Sequence, residues 1–417
     1  LALLLASALS ASLGAYSVLS HEAVIDSAWP DHILPILRAH FPNATPDDLR
    51  KAHAFAYGGA IVQDMGYYPH GSHFFSDLTH YVRSGDFIEA LIRDAEADHD
   101  LSEYAFALGA LAHYASDVDG HRIAVNRAVP LLYPNVEKKV GFVATYEDNP
   151  GDHLKTEFGF DVLEVAKQRY APDAYRDFIG FEVAGPLLER AFQETYGLSL
   201  RSLFTDYDRA LNSYRYDVSS LIPKATRVAW VLKKGEIQHD VPSMTQQKFL
   251  FNISRASYEK RFGSNYTRPS AGERFLAFIV RILPKVGPLR ALSFKTPTPQ
   301  TELLFMDSFN IALTHYEKLL DDVKSGRFDF DNPNFDTGEP LKPGTYFMAD
   351  DTYAQLVDQL AKNKFQNVSP ELRTAIFNYY ADANAPISTK QRPKDWSRLT
   401  AELASLKSAQ NPAPATQ

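Results

Sequence analysis

Thirteen histidines and no cysteine bound the chemistry open to this 417-residue chain. Eleven of the histidines fall within the first 153 residues, and only His239 and His315 follow. Imidazole nitrogens beside Asp and Glu oxygens, without thiolates, make the donor set of a nitrogen–oxygen metal site. Spacing sharpens this. His113, Asp117 and His121 stand at i, i+4 and i+8 in DLSEYAFALGALAHYASDVDGH. Four residues turn an α-helix by about 400°, so the three share nearly one face. His153 and Glu157 repeat the i, i+4 device in HLKTEFGFD. Upstream lie Asp64 in GGAIVQDMGYYP, His73 in HGSHFFSDLTH, and His21 in SVLSHEAVIDSAW, where Ser20 is a candidate N-cap. His70 is an alternative to His73, and His80 reads as packing or bonding locally. His32, His40, His53 and His99 read as surface or turn positions. One pair four apart is usually a solvated helix face. Two such pairs with three further candidates point to one pocket.

Helices must position these groups. Apolar residues recur at helical period over 100–121, with Asp100 or Ser102 as the cap. The same pattern predicts helices over 181–196, 198–234, 271–283, 301–324, 352–364, 370–382 and 395–407, joined by Pro, Gly and Asn turns. Few segments alternate as strands, so the expected fold is all-α. Pro clusters appear after residue 235, and a soft domain boundary is expected there: a helical domain over 16–235 that holds the candidate ligands, and a C-terminal helical region of unassigned role over 236–407. Those later helices could instead wrap the first bundle as one unit. Residues 408–417 (AQNPAPATQ from 409) read as a disordered tail.

Composition excludes several classes. With 45% apolar, 23% charged and 12% aromatic residues, the chain is ordinary globular. No internal apolar run reaches the ~18 residues of a spanning helix. The absence of Cys excludes disulfide scaffolds and thiolate zinc sites. A net charge of −8 argues against a dedicated nucleic-acid binder. Residues 1–15 (LALLLASALSASLGA) carry no charge and end in small residues, as in the apolar and cleavage regions of a secretory signal. The expectation is a partial signal peptide cleaved before Ala15 or Tyr16, and a secreted or periplasmic protein.

The ordered set His21, Asp64, His73, His113-x3-Asp117-x3-His121, His153-x3-Glu157 resembles the zinc-dependent phospholipase C superfamily. That group includes bacterial phospholipases C, P1/S1-type nucleases and the catalytic domain of GPI-specific phospholipase D. The resemblance spans about a third of the chain and implies a multi-helix bundle of this type, with additional C-terminal helices. It implies about three zinc ions. Asp64, His73, His113 and Asp117 would hold one; His121, His153 and Glu157 a second. The third would take His21, Asp117 as a bridge, and the amine and carbonyl of the mature first residue, Tyr16 or Ala15, where the family usually has Trp. Asp64 would also orient or deprotonate the attacking water. Glu22, Asp77 and Asp119 would fix imidazole tautomers from outside. Tyr67, Tyr68 and Phe74 are candidates for substrate contact, or core.

Three functions are open given this resemblance and donor set. The leading one is a secreted, zinc-dependent phosphoric diester hydrolase that attacks phospholipids as a phospholipase C, through water activated by several zincs. Its partners would be a phospholipid or other phosphodiester and, transiently, a membrane surface. No stable nucleic acid and no obligate protein partner are expected. The second keeps the metals but acts as a nuclease, a 3'-nucleotidase or a D-type phospholipase. The third is a non-enzymatic, metal-binding helical protein.

Overall fold

The computed structural model describes residues 17–167, 169–170, 179–245 and 293–409. Among them there is no strand, only an isolated bridge between Pro333 and Pro340. The first half holds α1 (Val18–Ala28), α2 (Leu34–His40), α3 (Pro46–Gly59), α4 (His73–Tyr81), α5 (Ser84–Asp98), α6 (Leu101–Gly120), α7 (Asn126–Leu132), α8 (Pro134–Val140) and α9 (Pro150–Ala166). Then come α10 (Gly185–Tyr196), α11 (Tyr207–Tyr216), α12 (Ile222–Asp240), α13 (Pro299–Lys324), α14 (Phe347–Lys362), α15 (Pro370–Tyr379) and α16 (Pro393–Ser408).

α6 is the central rod. Asp100 caps it as the sequence predicts, accepting from the Ser102 and Glu103 amides. Residues 104–120 of this helix are all buried, so it is packed on every side rather than on one stripe. Its tightest neighbour is α3. A Cβ on Gly109 would lie 2.1 Å from the Ala56 carbonyl oxygen, and one on Gly59 would lie 1.9 Å from that of Phe106. The two backbones therefore touch, and only glycine fits at the crossing. α3 starts at a capping box in which Thr45 and Asp48 bond reciprocally.

The remaining predicted helices are present with shifted ends. The 181–196 span begins at Gly185, because residues 181–184 run as irregular chain. The 198–234 span breaks into a 3-10 turn, α11, a π turn and α12. The 301–324 span is α13, capped by Thr298. The helix expected over 271–283 and the tail beyond 409 lie outside the described residues, as do residues 1–16.

The soft boundary expected at 235 falls inside α12. One hydrophobic core runs from Val18 in α1 to Leu406 in α16. α13 lies along α6: the Tyr316 hydroxyl donates to the Leu108 carbonyl at 2.8 Å, and Phe305 stacks on Phe160 of α9. The segment 330–336 then straps across the bundle. The Phe330 amide donates to Glu89 at 2.8 Å, Ser84 Oγ to the Pro333 carbonyl at 3.0 Å, and the Phe335 amide to the His80 carbonyl at 3.2 Å.

Candidate metal centre

Five histidines and four carboxylates converge beside the middle of α6: His21, Asp64, His80, His113, Asp117, His121, His153, Glu157 and Asp336. None is more than 4% exposed. Each is delivered by a local device. α3 ends at Gly59, and Ala60 opens into a 3-10 turn (Val62–Tyr67) that carries Asp64. Ser76 of α4 pins that turn, accepting from the Gly66 amide and donating to the Gln63 carbonyl. α6 delivers His113 and Asp117. A π turn, His121–Val125, then follows without a break; such turns recur at functional sites. His21 sits in the first turn of α1. Ser17, not Ser20, occupies the N-cap position; Ser20 points inward and donates to Asp161 of α9, which also accepts from the Leu19 amide.

Backbone acceptors fix the tautomers. Nδ1 of His113 lies 2.9 Å from the Ala60 carbonyl, and Nδ1 of His80 lies 2.7 Å from the Ser76 carbonyl. A carbonyl can only accept, so each Nδ1 carries the proton. Both Nε2 atoms then face the cluster, 3.3 Å apart. His80 Nε2 is 3.4 Å from Asp64 Oδ1 and 3.4 Å from Asp117 Oδ2; His113 Nε2 is 3.2 Å from the same Asp117 oxygen. His80, His113 and Asp117 thus offer three atoms 3.2–3.4 Å apart, close to the edge of a tetrahedron around zinc, about 3.3 Å for bonds of about 2.0–2.1 Å, and Asp64 adjoins them at His80. The other Asp117 oxygen, Oδ1, faces His21 Nε2 at 3.5 Å. Asp117 thus addresses two groups at once, and His21, Asp64 and His113 offer atoms within 4.8 Å of one another.

A further group forms at the π turn. His121, His153 and Asp336 offer atoms mutually within 4.8 Å. His153 Nε2 faces the Asn126 side-chain oxygen at 2.8 Å and the Ala144 carbonyl at 3.2 Å, so it is the donor. Its bare Nδ1 meets Glu157 Oε1 at 3.0 Å.

Electrostatics mark the cluster as built for cations. Burial pushes His153 down to about 3 and, with neighbouring His113, His21 to about 4. Burial also opposes the charge on His80, but Asp117 and Asp64 overcome it and raise that imidazole to about 10. Glu157 is raised well above the carboxylate range by burial and by Asp64, Asp117 and Asp336. Both oxygens of Asp117, Oε2 of Glu157, Nδ1 of His121 and Oδ1 of Asp336 are buried without a hydrogen bond. The donor set fits zinc.

Residues 21–206 match the family described as zinc dependent phospholipase C. The match supports the zinc-dependent phospholipase C family for that part of the chain. No curated protein and no solved structure matches it. The family is one of hydrolases, and the fold expected from it, an all-α multi-helix bundle, is the fold observed. No helix of the described residues is long and apolar enough to cross a membrane.

Of the residues expected from sequence, His21, Asp64, His113, Asp117, His121, His153 and Glu157 come together. His73 does not. It is the first residue of α4, exposed, with its ring against Tyr67 at 5.4 Å. His80, seven residues and about two turns further along the same face, takes the place beside Asp64; its local bond to Ser76 is real but uses only one ring nitrogen. His70 is exposed in a left-handed turn. His53 is a buried ring stacked on Trp29 at 3.8 Å and paired with Asp26, not a surface residue. Tyr16 lies outside the described residues. Asp119 turns away to Arg122 and His315, and Asp77 accepts from Tyr67; backbone carbonyls and Asn126 take the outer roles expected of them. Glu22 is buried near Asp26 and Asp161, and burial raises its carboxyl. Tyr68 and Phe74 are core residues. Tyr67 stands 5.8 Å from His80 and 6.3 Å from Tyr146, whose ring is 5.8 Å from His153.

Proposed function

We propose that this protein hydrolyses phospholipids as a phospholipase C, cutting the phosphodiester on the glycerol side and releasing a phosphorylated head group. The observation that carries the reading is the two-faced Asp117, with His80 and His113 at one oxygen and His21 at the other, inside a zinc-dependent phospholipase C family domain. His80, His113, Asp64 and Asp117 would hold one zinc; His121, His153 and Glu157 a second; His21 and Asp117 a third, with Tyr16 or Ala15 if cleavage frees the terminus there. Bound zinc supplies Lewis acidity toward the phosphoryl oxygens and lowers the pKa of water towards neutrality. Asp64 orients the attacking water and accepts its proton. The P–O bond to glycerol breaks, and the departing oxygen gains a proton. Tyr67 and Tyr146 flank the two metal groups and position the head group.

Surface contact belongs to the chain between α8 and α9. Phe142 is 80% exposed and Val143 53%, beside the exposed lysines 138 and 139. An apolar tip with adjacent cations suits an anionic lipid interface. It is also close to the chemistry: the next residue, Ala144, carries the carbonyl that orients His153. The charge-free stretch 1–15 supports export.

Phosphorus NMR of the zinc-loaded chain with mixed phospholipid vesicles tests the reading. A phosphomonoester head group is expected, and Asp64→Asn should remove it. Phosphatidic acid, or no cleavage of lipid by a zinc-loaded chain, would overturn it.

A further inference from the structure

Asp336 belongs to the strap that follows α13, 130 residues beyond the end of the family match. It is 1% exposed, and its two oxygens are treated differently. Oδ2 is fully engaged: it accepts from the Tyr146 amide at 2.8 Å and from the Tyr346 hydroxyl at 2.8 Å. Oδ1 makes no hydrogen bond, although it lies 3.1 Å from His121 Nδ1, which makes none either. A carboxylate anchored through one oxygen while the other faces an imidazole nitrogen is the arrangement of a monodentate metal ligand held by its outer partners.

Asn126 shows that the anchoring is built. Its side-chain nitrogen donates to the Asp336 carbonyl at 2.7 Å, and its side-chain oxygen accepts from His153 Nε2 at 2.8 Å. One amide therefore sets both the strap and the ring whose Nδ1 points into the same group. Asn334 adds a turn, accepting from the Asp336 amide at 2.9 Å. The strap fits tightly: a Cβ on Gly338 would lie 2.6 Å from the Val118 carbonyl oxygen of α6.

We propose that Asp336 is a zinc ligand, so that the C-terminal region completes the metal group begun by His121, His153 and Glu157. The inference rests on the reading of the cluster as a zinc centre. It gives that region a role in the site itself. Two imidazoles and two carboxylates from one chain make four protein donors, the number found in closed sites rather than open ones. This group would therefore anchor its ion, and substrate would exchange with ligands at the His21–Asp117 group, which has fewer protein donors.

The test is zinc per chain, with competition against a chelator, for the full chain and for Asp336→Asn and Tyr346→Phe. Asp336→Asn is expected to lose about one zinc, or to yield it at much lower chelator concentration. Tyr346→Phe keeps the facing oxygen and is expected to retain the full count. Equal losses in both variants would reduce Asp336 to a structural anchor and overturn the proposal, as would an unchanged count and unchanged competition in Asp336→Asn. If the unsubstituted chain binds no zinc, the wider metal reading fails with it. Should Asp336→Asn not fold, hydrogen exchange on the unsubstituted chain decides. Chelation is expected to raise exchange in residues 331–340, and zinc to restore protection; exchange indifferent to metal would contradict the proposal.

Discussion

At the scale of single residues, the distinction between His80 and His73 is the sharpest. Both lie on α4, but only His80 Nε2 meets Asp64 and Asp117. His80→Ala should cost the chain about one zinc, because it removes one of four donors. His73→Ala should leave the zinc content unchanged. Metal analysis of the two purified variants checks this. The buried rings also fix a pH dependence for the metal-free chain. His21 and His153 are held neutral by burial, down to about 4 and about 3. Their folded values lie below the unfolded 6.5, so the stability they lend is present above 6.5 and is lost as pH falls toward 4 and 3. His80 runs the other way. Its folded value of about 10 lies above 6.5, so its contribution is complete below 6.5 and lost as pH rises towards 10. Thermal melts of the zinc-stripped chain should therefore decline on both sides of a maximum near neutrality. Melting that is flat from pH 4 to 10 would contradict the assignment of these protonation states.

At the scale of elements, the glycine crossing of α3 and α6 sets the geometry that the rings depend on. It brings the Ala60 carbonyl to the His113 Nδ1 proton. Gly109→Ala would drive a methyl into the Ala56 backbone. Backbone cannot swing aside as a side chain can, so a loss of about 1–3 kcal/mol is expected. Denaturant unfolding measures it, and a companion fall in zinc affinity would show the coupling to the site. The tip between α8 and α9 is a second element with a defined task. A small cluster of Val125, Val129, Val136 and Ala144 holds its base, leaving Phe142 outside. Withdrawing a phenyl ring from water yields about 1.5–3 kcal/mol. Phe142→Ala should accordingly weaken sedimentation with anionic vesicles by about ten-fold or more. Unchanged sedimentation would remove the tip from the interface.

At the scale of the whole molecule, sequence and structure agree where the pattern is local. The α6 span and its Asp100 cap were legible because apolar period and capping act within a few residues. So were His113, Asp117, His121, His153 and Glu157, whose i, i+4 spacing is a property of one helix. What escaped depends on contacts distant in sequence. Three histidines between 70 and 80 are equivalent by composition; the Ser76 carbonyl and the strap over His80 separate them. Asp336 stands in the Pro-rich stretch DNPNFDTGEP, with no metal-like spacing, 183 residues after His153. His53 was illegible for the same reason, since Trp29 and Asp26 reach it from another helix.

The central claim is that nine buried side chains from both halves of the chain form a multinuclear zinc centre. Anomalous diffraction at the zinc absorption edge, on crystals of the zinc-loaded protein, tests it most directly. Separate peaks are expected at three places: among Asp64, His80, His113 and Asp117; among His121, His153, Glu157 and Asp336; and between His21 and the far oxygen of Asp117. Crystals of zinc-loaded protein with no peak within this cluster would contradict it.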